Sequence, residues 1–281
     1  MYLKNGSHHL FFFQLRKRFP SAVMESLRRE YVPEVPPLLL SGEYCVREHP
    51  EGTASEADHE EIASLFSHLY GAPVVELIPT PGELGQLAQT PCPPLVVGCV
   101  LSGGQAAGGH NCICGLFDFL QERAPGSTLL GFTGGPRGVM TNSAKILDAH
   151  TINGYRNSGG FTMLGSGRDK IETAEQFEQA ATTARSRHLD GLVVIGGDDS
   201  NTNAALLAEH FHAQGLPTRV VGLPKTIDGD LKNEWVESSF GFDTAAKLYA
   251  ELLGNIMCDP SPHSRPVHDP VHKPLLNGAL L

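Results

Sequence analysis

The chain has 281 residues, of which 41% are hydrophobic and 19% are charged. This length and apolar content suffice for one large or two small globular domains, and they exclude a wholly disordered, collagen-like or coiled-coil chain. The 21 Lys and Arg residues oppose 31 Asp and Glu residues, and the resulting net charge of −10 disfavours nucleic acid as a partner.

The sequence predicts neither a membrane span nor a signal peptide. The longest uncharged stretch, residues 84–117, is continuously apolar only over residues 95–101, which is too short to cross a bilayer. The apolar residues 10–13 lack the length of a signal-peptide core and are followed by no clear cleavage site. The six cysteines form neither CxxC pairs nor a regular framework, which indicates reduced thiols. We therefore expect a cytoplasmic protein.

Residues 1–94 are predicted to form an N-terminal extension that is polar and interrupted by prolines. Within it, residues 56–70 place Ile62, Leu65, Phe66 and Leu69 at helical spacing and predict one amphipathic helix. The proline-containing remainder of this region is predicted to be extended or looped.

From residue 95 onward, the chain repeats a cycle of apolar run, glycine-rich turn and helical segment. The apolar runs at residues 95–101, 128–132, 191–195 and 219–223 predict strands that are buried on both faces. Candidate helices are residues 111–123, 144–149, 173–188, 201–214 and 242–257. This order predicts an α/β fold with a Rossmann-like parallel sheet over residues 95–258 and a ligand at the carboxyl ends of its strands. Residues 259–281 lose this periodicity and predict an irregular tail.

The first candidate site is the glycine-rich turn SGGQAAGGHN at residues 102–111, directly after a predicted strand. Its glycines, which include Gly103 and Gly104, allow the backbone to approach an anion closely, and N–H groups at the helix start would point at that anion. The turn lacks the lysine of a Walker loop, which disfavours a P-loop nucleotidase. A tight turn without a ligand is the alternative.

The second candidate site is GGDDSNT at residues 196–202, again at the end of a predicted strand. Asp198 and Asp199 place negative charge beside the anion site, an arrangement that a bridging divalent cation would explain. Capping of the following helix by Ser200 or Asn201 is the alternative explanation for this segment.

The third candidate site is PKTIDGD at residues 224–230. In an extended loop, alternation would place Asp228 and Asp230 on one side, with Thr226 beside them. One carboxylate could then act as a base on a substrate hydroxyl while the other tunes a metal, and Lys225 could offset the charge of a transferred phosphate. A solvent-exposed acidic turn is the alternative.

A weaker signal is the turn GSGRDK at residues 165–170. Arg168 stands there among small residues and could bind phosphate oxygens. An exposed arginine before the next helix fits the pattern equally well.

Taken together, these motifs resemble the phosphofructokinases, specifically the long pyrophosphate-dependent type that includes the plant catalytic beta subunit. The resemblance rests on LSGGQAAGGHN (101–111), LGSGRDK (164–170), GGDDSNT (196–202), PKTIDGDLKN (224–233) and SFGFDTAAKLYAELLGNIM (239–257), and it extends over about residues 26–258. It implies the large-domain fold of that family, present in part. It also implies reversible, Mg²⁺-dependent phosphoryl transfer from pyrophosphate to fructose 6-phosphate, a step of glycolysis.

The resemblance implies roles on the donor side for four residues. Gly103, Gly104 and Arg168 would bind pyrophosphate, and Asp198 would hold Mg²⁺. On the acceptor side, the resemblance places the substrate against a separate group of residues.

That acceptor group consists of Thr226, Ile227, Asp228 and Asp230. Asp228 would be the base that deprotonates the 1-hydroxyl of fructose 6-phosphate. Thr226 would hydrogen-bond the transferred group beside Ile227, and Asp230 would support the metal.

Two positions decide the choice of phosphoryl donor within the resemblance. ATP-using relatives have glycine where Asp199 and Lys225 stand in this sequence. Asp199 would repel the third phosphate of a nucleotide, while Lys225 would bind pyrophosphate and stabilise the charge that develops on it. We therefore expect pyrophosphate as the donor, and an ATP-dependent 6-phosphofructokinase is the alternative.

The resemblance ends after Cys258 and Asp259. The family continues there with a Met-Gly-Arg turn, the sugar-phosphate arginines and further strands, whereas this sequence continues differently. We expect the chain by itself to be inactive or nearly so, and a complete protein to assemble with itself or with full-length subunits. A non-catalytic fragment or regulatory partner of full-length subunits is one alternative, and a gene-model artefact in the tail is another.

Overall fold

The computed structural model describes residues 30–32, 34–41, 44–80, 92–231 and 240–257, so the predicted tail at 259–281 lies outside the described residues. The strands are β1 Tyr44–Gly52, β2 Pro73–Pro79, β3 Val96–Leu101, β4 Thr128–Phe132, β5 Ala144–Ile146, β6 Gly191–Gly196, β7 Arg219–Thr226 and β8 Phe240–Gly241. The helices are α1 Pro37–Ser41, α2 His59–Leu65, α3 Gly109–Arg123, α4 Pro136–Met140, α5 Ala149–Tyr155, α6 Ala174–Arg187, α7 Asp198–Ala213 and α8 Phe242–Met257.

The main sheet has six strands in the order β5-β4-β3-β6-β7-β8. Strands β4, β3, β6, β7 and β8 pair in parallel, and β5 pairs antiparallel with β4 at the edge. The predicted α/β fold with a parallel sheet is therefore confirmed. Because the chain leaves β3 in one direction and returns on its other side as β6, the strand order reverses between these two strands. Such a reversal opens a crevice at the carboxyl ends of the strands.

Helices cover both faces of this sheet, as continuous apolar strands require. On one face, Cys99 of β3 belongs to a buried cluster with Ile113 of α3. On the other face, Val100 belongs to a second buried cluster with Ala184 of α6 and Phe211 of α7. The two clusters hold the strands in place. The positions of the strand ends therefore determine where the following loops begin.

The predicted helix over residues 144–149 is wrong. Residues Ala144–Ile146 form β5, which extends the sheet beyond β4, and the helix begins only at Ala149. The carboxylate of Asp148 accepts a hydrogen bond from the Thr151 N–H at 2.8 Å and thereby caps α5. The cap fixes the start of α5. The residues before the helix pair instead with the open edge of β4. The short helix α4 was not predicted.

The other predicted elements agree with the structure except at some boundaries. Helix α7 begins three residues earlier than predicted, and β7 continues three residues further, with consequences for the site. In the N-terminal region, α2 is shorter than the predicted helix at 56–70. The expectation of extended or looped chain elsewhere in that region holds for the antiparallel pair β1 and β2 but not for α1. Across the described ranges, no helix combines the length and hydrophobicity needed to cross a membrane.

The segment after α2 is attached to the main domain through Glu209 on α7. The Glu209 carboxylate accepts hydrogen bonds from the N–H groups of His68 and Leu69 at 2.9 and 2.8 Å. The His68 Nδ1 atom lies 2.6 Å from the same carboxylate. These contacts fix this segment on the helix whose first turn lies at the candidate site.

A buried histidine holds the start of α3 to the segment that follows α5. The Met163 N–H donates to His110 Nε2 at 2.9 Å, and His110 Nδ1 lies 2.7 Å from the Ser158 hydroxyl. Because the Ser158 hydroxyl donates its own proton to the Tyr155 carbonyl at 2.5 Å, Nδ1 must carry the proton and donate. The ring is thus neutral in this arrangement. Its burial, at 1% exposure, lowers the pKa of His110 to about 4.

We expect this histidine to make the fold sensitive to acid. The unfolded imidazole binds a proton below about pH 6.5, whereas the buried ring does so only near a pKa of about 4. The unfolded state therefore binds more protons in this window, so the free energy of unfolding should fall by about 3 kcal/mol as the pH drops through it. Urea unfolding of the chain between pH 7 and pH 4 measures this slope.

The variant His110→Gln should lower stability at pH 7 and reduce that slope, because glutamine does not titrate. The exposed histidine variant His150→Gln is the matched control and should leave the slope unchanged. An equal slope in the unaltered chain and in His110→Gln would contradict the prediction.

Candidate active site

A cleft of about 490 Å³ lies at the carboxyl ends of β3, β6 and β7. Every site residue that the sequence singled out lines this cleft: Gly103, Gly104, Arg168, Asp198, Asp199, Lys225, Thr226, Ile227, Asp228 and Asp230. Strand β6 pairs with β3 on one side and with β7 on the other, so their three following turns emerge side by side. The cleft thus lies at the reversal of strand order, where α/β sheets bind ligands.

The glycine turn after β3 is joined to the turn that carries Arg168. The Gly103 N–H donates to the Gly167 carbonyl at 2.8 Å, and the Ser166 hydroxyl donates to the Gly103 carbonyl. Gly103 has a φ of 82°, which favours glycine at this position. An ideal Cβ built on Gly104 would lie 3.9 Å from Arg168 Nη2, so the guanidinium stands beside the glycine turn. One continuous surface therefore presents backbone and a guanidinium to an anion.

The two adjacent carboxylates lie in the first turn of α7 rather than in a turn before the helix. Gly197 is the N-cap residue, and Asp198 and Asp199 follow it directly. The positive end of the helix dipole offsets part of their charge. Their proximity therefore does not by itself require a cation, which corrects the argument made from the sequence. The Asp199 side chain is 73% exposed, and its Oδ2 lies 3.3 Å from Lys170 Nζ.

Ser200 and Asn201 do not cap α7, contrary to the alternative considered from the sequence. The Ser200 hydroxyl donates to the Ser102 hydroxyl at 2.8 Å and joins α7 to the end of β3. The Asn201 amide donates to the carbonyls of Gly196 and Gly197, both at 2.8 Å. These side chains instead fix the strand ends that border the cleft.

Lys225 belongs to β7, which continues past its predicted end and pairs with β8. Its residue is only 7% exposed. Burial lowers the pKa of Lys225, the charges of Asp228 and Asp198 act to raise it, and the charge of Arg168 acts to lower it. The ammonium thus lies in the cleft wall within electrostatic reach of carboxylates from two neighbouring strand ends.

Residues 226–230 form a turn instead of the extended loop expected from alternation. Gly229 has a φ of 75°, which breaks an extended path. The Thr226 hydroxyl donates to Asp230 Oδ1 at 2.7 Å and accepts the Asp228 N–H at 3.0 Å. Thr226 thus contacts the carboxylate of Asp230 and the backbone of Asp228, and all three residues line the cleft.

The side chains that line the cleft carry more negative than positive charge. They include five carboxylates (Asp169, Asp198, Asp199, Asp228, Asp230) and three cations (Arg168, Lys170, Lys225). A polyanion would meet net repulsion here unless it carried a cation. Within the described part of the chain, no group of three or more His, Cys, Asp or Glu residues is placed to hold a metal. Mg²⁺ commonly uses one or two protein carboxylates together with substrate phosphates and water, so this donor set fits a cation that arrives with a phosphate ligand.

Several cleft residues were not chosen as site residues from the sequence, and they are Ser102, Gln105, Asp169, Lys170, Gly197, Ser200, Asn203 and Leu231. Lys170 stands inside the motif that drew attention to Arg168, so its charge was a usable signal. Asn203 lies on α7 outside every motif. Its contact is with Ile171, 32 residues earlier in the chain, and no local pattern reveals such a contact.

Comparison with known proteins gives a family match and close relatives. The phosphofructokinase family model matches residues 96–267. The chain is 57% identical over 223 residues to the Arabidopsis thaliana pyrophosphate–fructose 6-phosphate 1-phosphotransferase subunit beta 1, covering 79% of this chain and 38% of that protein. It is 50% identical over 244 residues to the Treponema pallidum pyrophosphate–fructose 6-phosphate 1-phosphotransferase, covering 85% and 42%. The chain thus spans about two fifths of the length of these relatives.

Solved structures agree at the level of the fold. A pyrophosphate-dependent phosphofructokinase from Nitrosospira multiformis superposes with a TM-score of 0.51 at 20% identity, covering 59% of this chain and 43% of that chain. Pichia pastoris phosphofructokinase in the T-state gives a TM-score of 0.50 at 23% identity, covering 68% and 22%.

We expect the charge on Lys225 to make anion binding in the cleft depend on pH. Because burial lowers the pKa of this lysine, the ammonium should lose its proton at a lower pH than an exposed lysine does. The affinity of the cleft for an anionic probe, for which pyrophosphate serves, should therefore fall as the pH rises through that lowered pKa. Titration calorimetry of the chain with pyrophosphate and Mg²⁺ between pH 7 and pH 10 measures the effect.

The variant Lys225→Met removes the charge and corrects for the titration of pyrophosphate itself. Its affinity should be weaker at pH 7, and the two affinities should converge at high pH. A constant ratio of the two affinities over the whole range would contradict the prediction. Lys247→Met on α8, which is exposed, is the control for loss of a lysine elsewhere.

Proposed function

Because the chain belongs to the phosphofructokinase family, we propose that, as part of a complete protein, it acts in reversible phosphoryl transfer from pyrophosphate to the 1-hydroxyl of fructose 6-phosphate. The products would be fructose 1,6-bisphosphate and phosphate, as a step of glycolysis. The observation that carries the proposal is the position of Lys225 in one cleft with Asp198 and Asp228. The names of the relatives from Arabidopsis thaliana and Treponema pallidum support the same assignment.

On the donor side, the glycine turn and two cations would hold pyrophosphate. Gly103 and Gly104 would allow its oxygens to approach the backbone, and Arg168 and Lys225 would bind them by charge. Asp198 would hold a Mg²⁺ ion that arrives with pyrophosphate, and this ion would neutralise the donor and stabilise the charge of the leaving phosphate. Without such a cation, the excess of carboxylates in the cleft would oppose binding.

On the acceptor side, Asp228 would accept the proton of the fructose 6-phosphate 1-hydroxyl. The freed oxygen would attack the terminal phosphorus, and the bond from that phosphorus to the bridging oxygen would break. Thr226 and Ile227 would contact the transferred group and the sugar. Asp230 accepts a hydrogen bond from the Thr226 hydroxyl and would hold this hydroxyl in position. Asp230 would also support the metal.

The choice of donor would depend on Asp199 and Lys225. The exposed Asp199 carboxylate stands at the cleft, where it would repel a third phosphate, and this disfavours the ATP-dependent alternative. We also propose the division into an N-terminal extension at residues 1–94 and a donor-binding domain at residues 95–258. A cytoplasmic location and assembly of the complete protein with itself or with full-length subunits stay predictions.

The double variant Asp199→Gly with Lys225→Gly tests the choice of donor. We expect pyrophosphate affinity to fall by about tenfold or more, since a partly buried charge pairing is worth about 1.5–3 kcal/mol. Affinity for MgATP should rise because the repelling carboxylate is gone. Calorimetry with both ligands gives the comparison.

A matched control is Asp243→Ala with Lys247→Ala, which removes an acid and a base that pair on α8. It should change neither affinity. Tighter binding of MgATP than of Mg-pyrophosphate by the unaltered chain would overturn the donor assignment.

The variant Asp228→Asn tests the assignment of the base. In a complete protein that contains this segment, we expect turnover to fall by about 10²–10⁴-fold relative to the unaltered protein, because the acceptor for the hydroxyl proton is lost. Pyrophosphate affinity should be unchanged or tighter, because one negative charge leaves the cleft. A coupled assay of fructose 1,6-bisphosphate formation, together with calorimetry, separates the two effects, and retained turnover would rule out Asp228 as the base.

A further inference from the structure

We propose that Asn203 is a positioning residue that fixes the turn carrying Arg168 against α7 and thereby sets the affinity of the cleft for pyrophosphate. The inference rests on the proposed function in one respect, since it takes pyrophosphate as the ligand. The mechanism above assigns no role to Asn203, although this residue lines the cleft.

The amide of Asn203 satisfies both backbone groups of a single distant residue. Asn203 Nδ2 donates to the Ile171 carbonyl at 2.6 Å, and the Ile171 N–H donates to Asn203 Oδ1 at 3.1 Å. This pairing needs a donor and an acceptor on one short side chain, which an amide provides. The Ile171 side chain is 1% exposed and packs in the core, so residue 171 is held from two sides.

The other end of the same turn is held by the glycine turn after β3. Gly167 accepts the Gly103 N–H, and Ser166 donates to the Gly103 carbonyl. Only residues 168–170 lie between this attachment and the attachment at Ile171. The short span contains Arg168, whose guanidinium stands beside Gly104.

A third contact connects this span with the start of α7. Lys170 lies 3.3 Å from the Asp199 carboxylate, but both side chains are exposed, and exposed ion pairs contribute little. The two hydrogen bonds of Asn203 are therefore the stronger attachment of the turn to α7. When they are lost, residue 171 is held only by its buried side chain. Its backbone then has no attachment to α7 through Asn203, so residues 168–170 gain freedom and Arg168 must be ordered when the ligand binds. That ordering weakens binding without altering the groups that contact the ligand.

Two variants of the full chain test this role. Asn203→Ala removes both hydrogen bonds. Asn203→Asp keeps an acceptor for the Ile171 N–H but places a carboxylate oxygen against the Ile171 carbonyl. For each variant we expect faster hydrogen–deuterium exchange in residues 166–171, with exchange in β3 and β6 unchanged, and about 3- to 10-fold weaker binding of Mg-pyrophosphate by calorimetry. Thr202→Ala, an exposed neighbour on the same helix, is the matched control and should change neither quantity.

The exchange measurement needs no ligand and so separates the two proposals. Faster exchange confined to the turn, together with weaker binding, supports the positioning role. Unchanged exchange overturns it, as does faster exchange with unchanged affinity. If the unaltered chain fails to bind pyrophosphate, the proposed function falls and the ligand part of this inference falls with it, while exchange still decides whether Asn203 holds the turn. A general loss of protection across the sheet would mean that Asn203 only stabilises the fold, which also overturns the proposal.

Discussion

Parallel pairing of β6 with both β3 and β7 is the constraint on which the cleft depends. Parallel strands end at the same edge of a sheet, so three turns that are far apart in sequence must emerge next to one another. The reversal of strand order beside β3 leaves space between the turns that no crossover helix fills. Buried clusters on both faces of the sheet keep the strand ends at this spacing. The positions of the cleft residues are therefore set mainly by the sheet and its buried clusters.

The charged residues of the cleft influence one another as well as any ligand. Lys225 lies largely buried on a strand, where burial lowers its pKa, and the charges of Asp228 and Asp198 oppose that shift. The dipole of α7 in turn stabilises the carboxylates of its first turn. Acidic and basic groups thus support one another in the ligand-free cleft. A phosphate ligand that carries a bound cation has less net negative charge than the free anion. It would therefore be repelled less by the carboxylates of the cleft.

The turns at the cleft are held by side-chain hydrogen bonds, either within the turn or from another element. Ser200 bonds to Ser102, Thr226 bonds to Asp230, and Asn203 bonds to the backbone of Ile171. The cleft is consequently organised before any ligand binds, which lowers the entropic cost of binding.

The sequence by itself determined the strands β3, β4, β6 and β7, the order of βα units and many of the cleft residues, because continuous apolar runs and glycine-rich turns are local patterns. It did not determine the strand at Ala144–Ile146, since a three-residue strand forms only when β4 offers a free edge. It also placed the end of β7 wrongly, because pairing with β8 extends that strand. The start of α7 was placed too late, since the helix begins directly after its N-cap residue Gly197. The contact of Asn203 with Ile171 was decided by tertiary structure alone, for an amide reveals its partner only when the fold brings that partner within hydrogen-bonding distance.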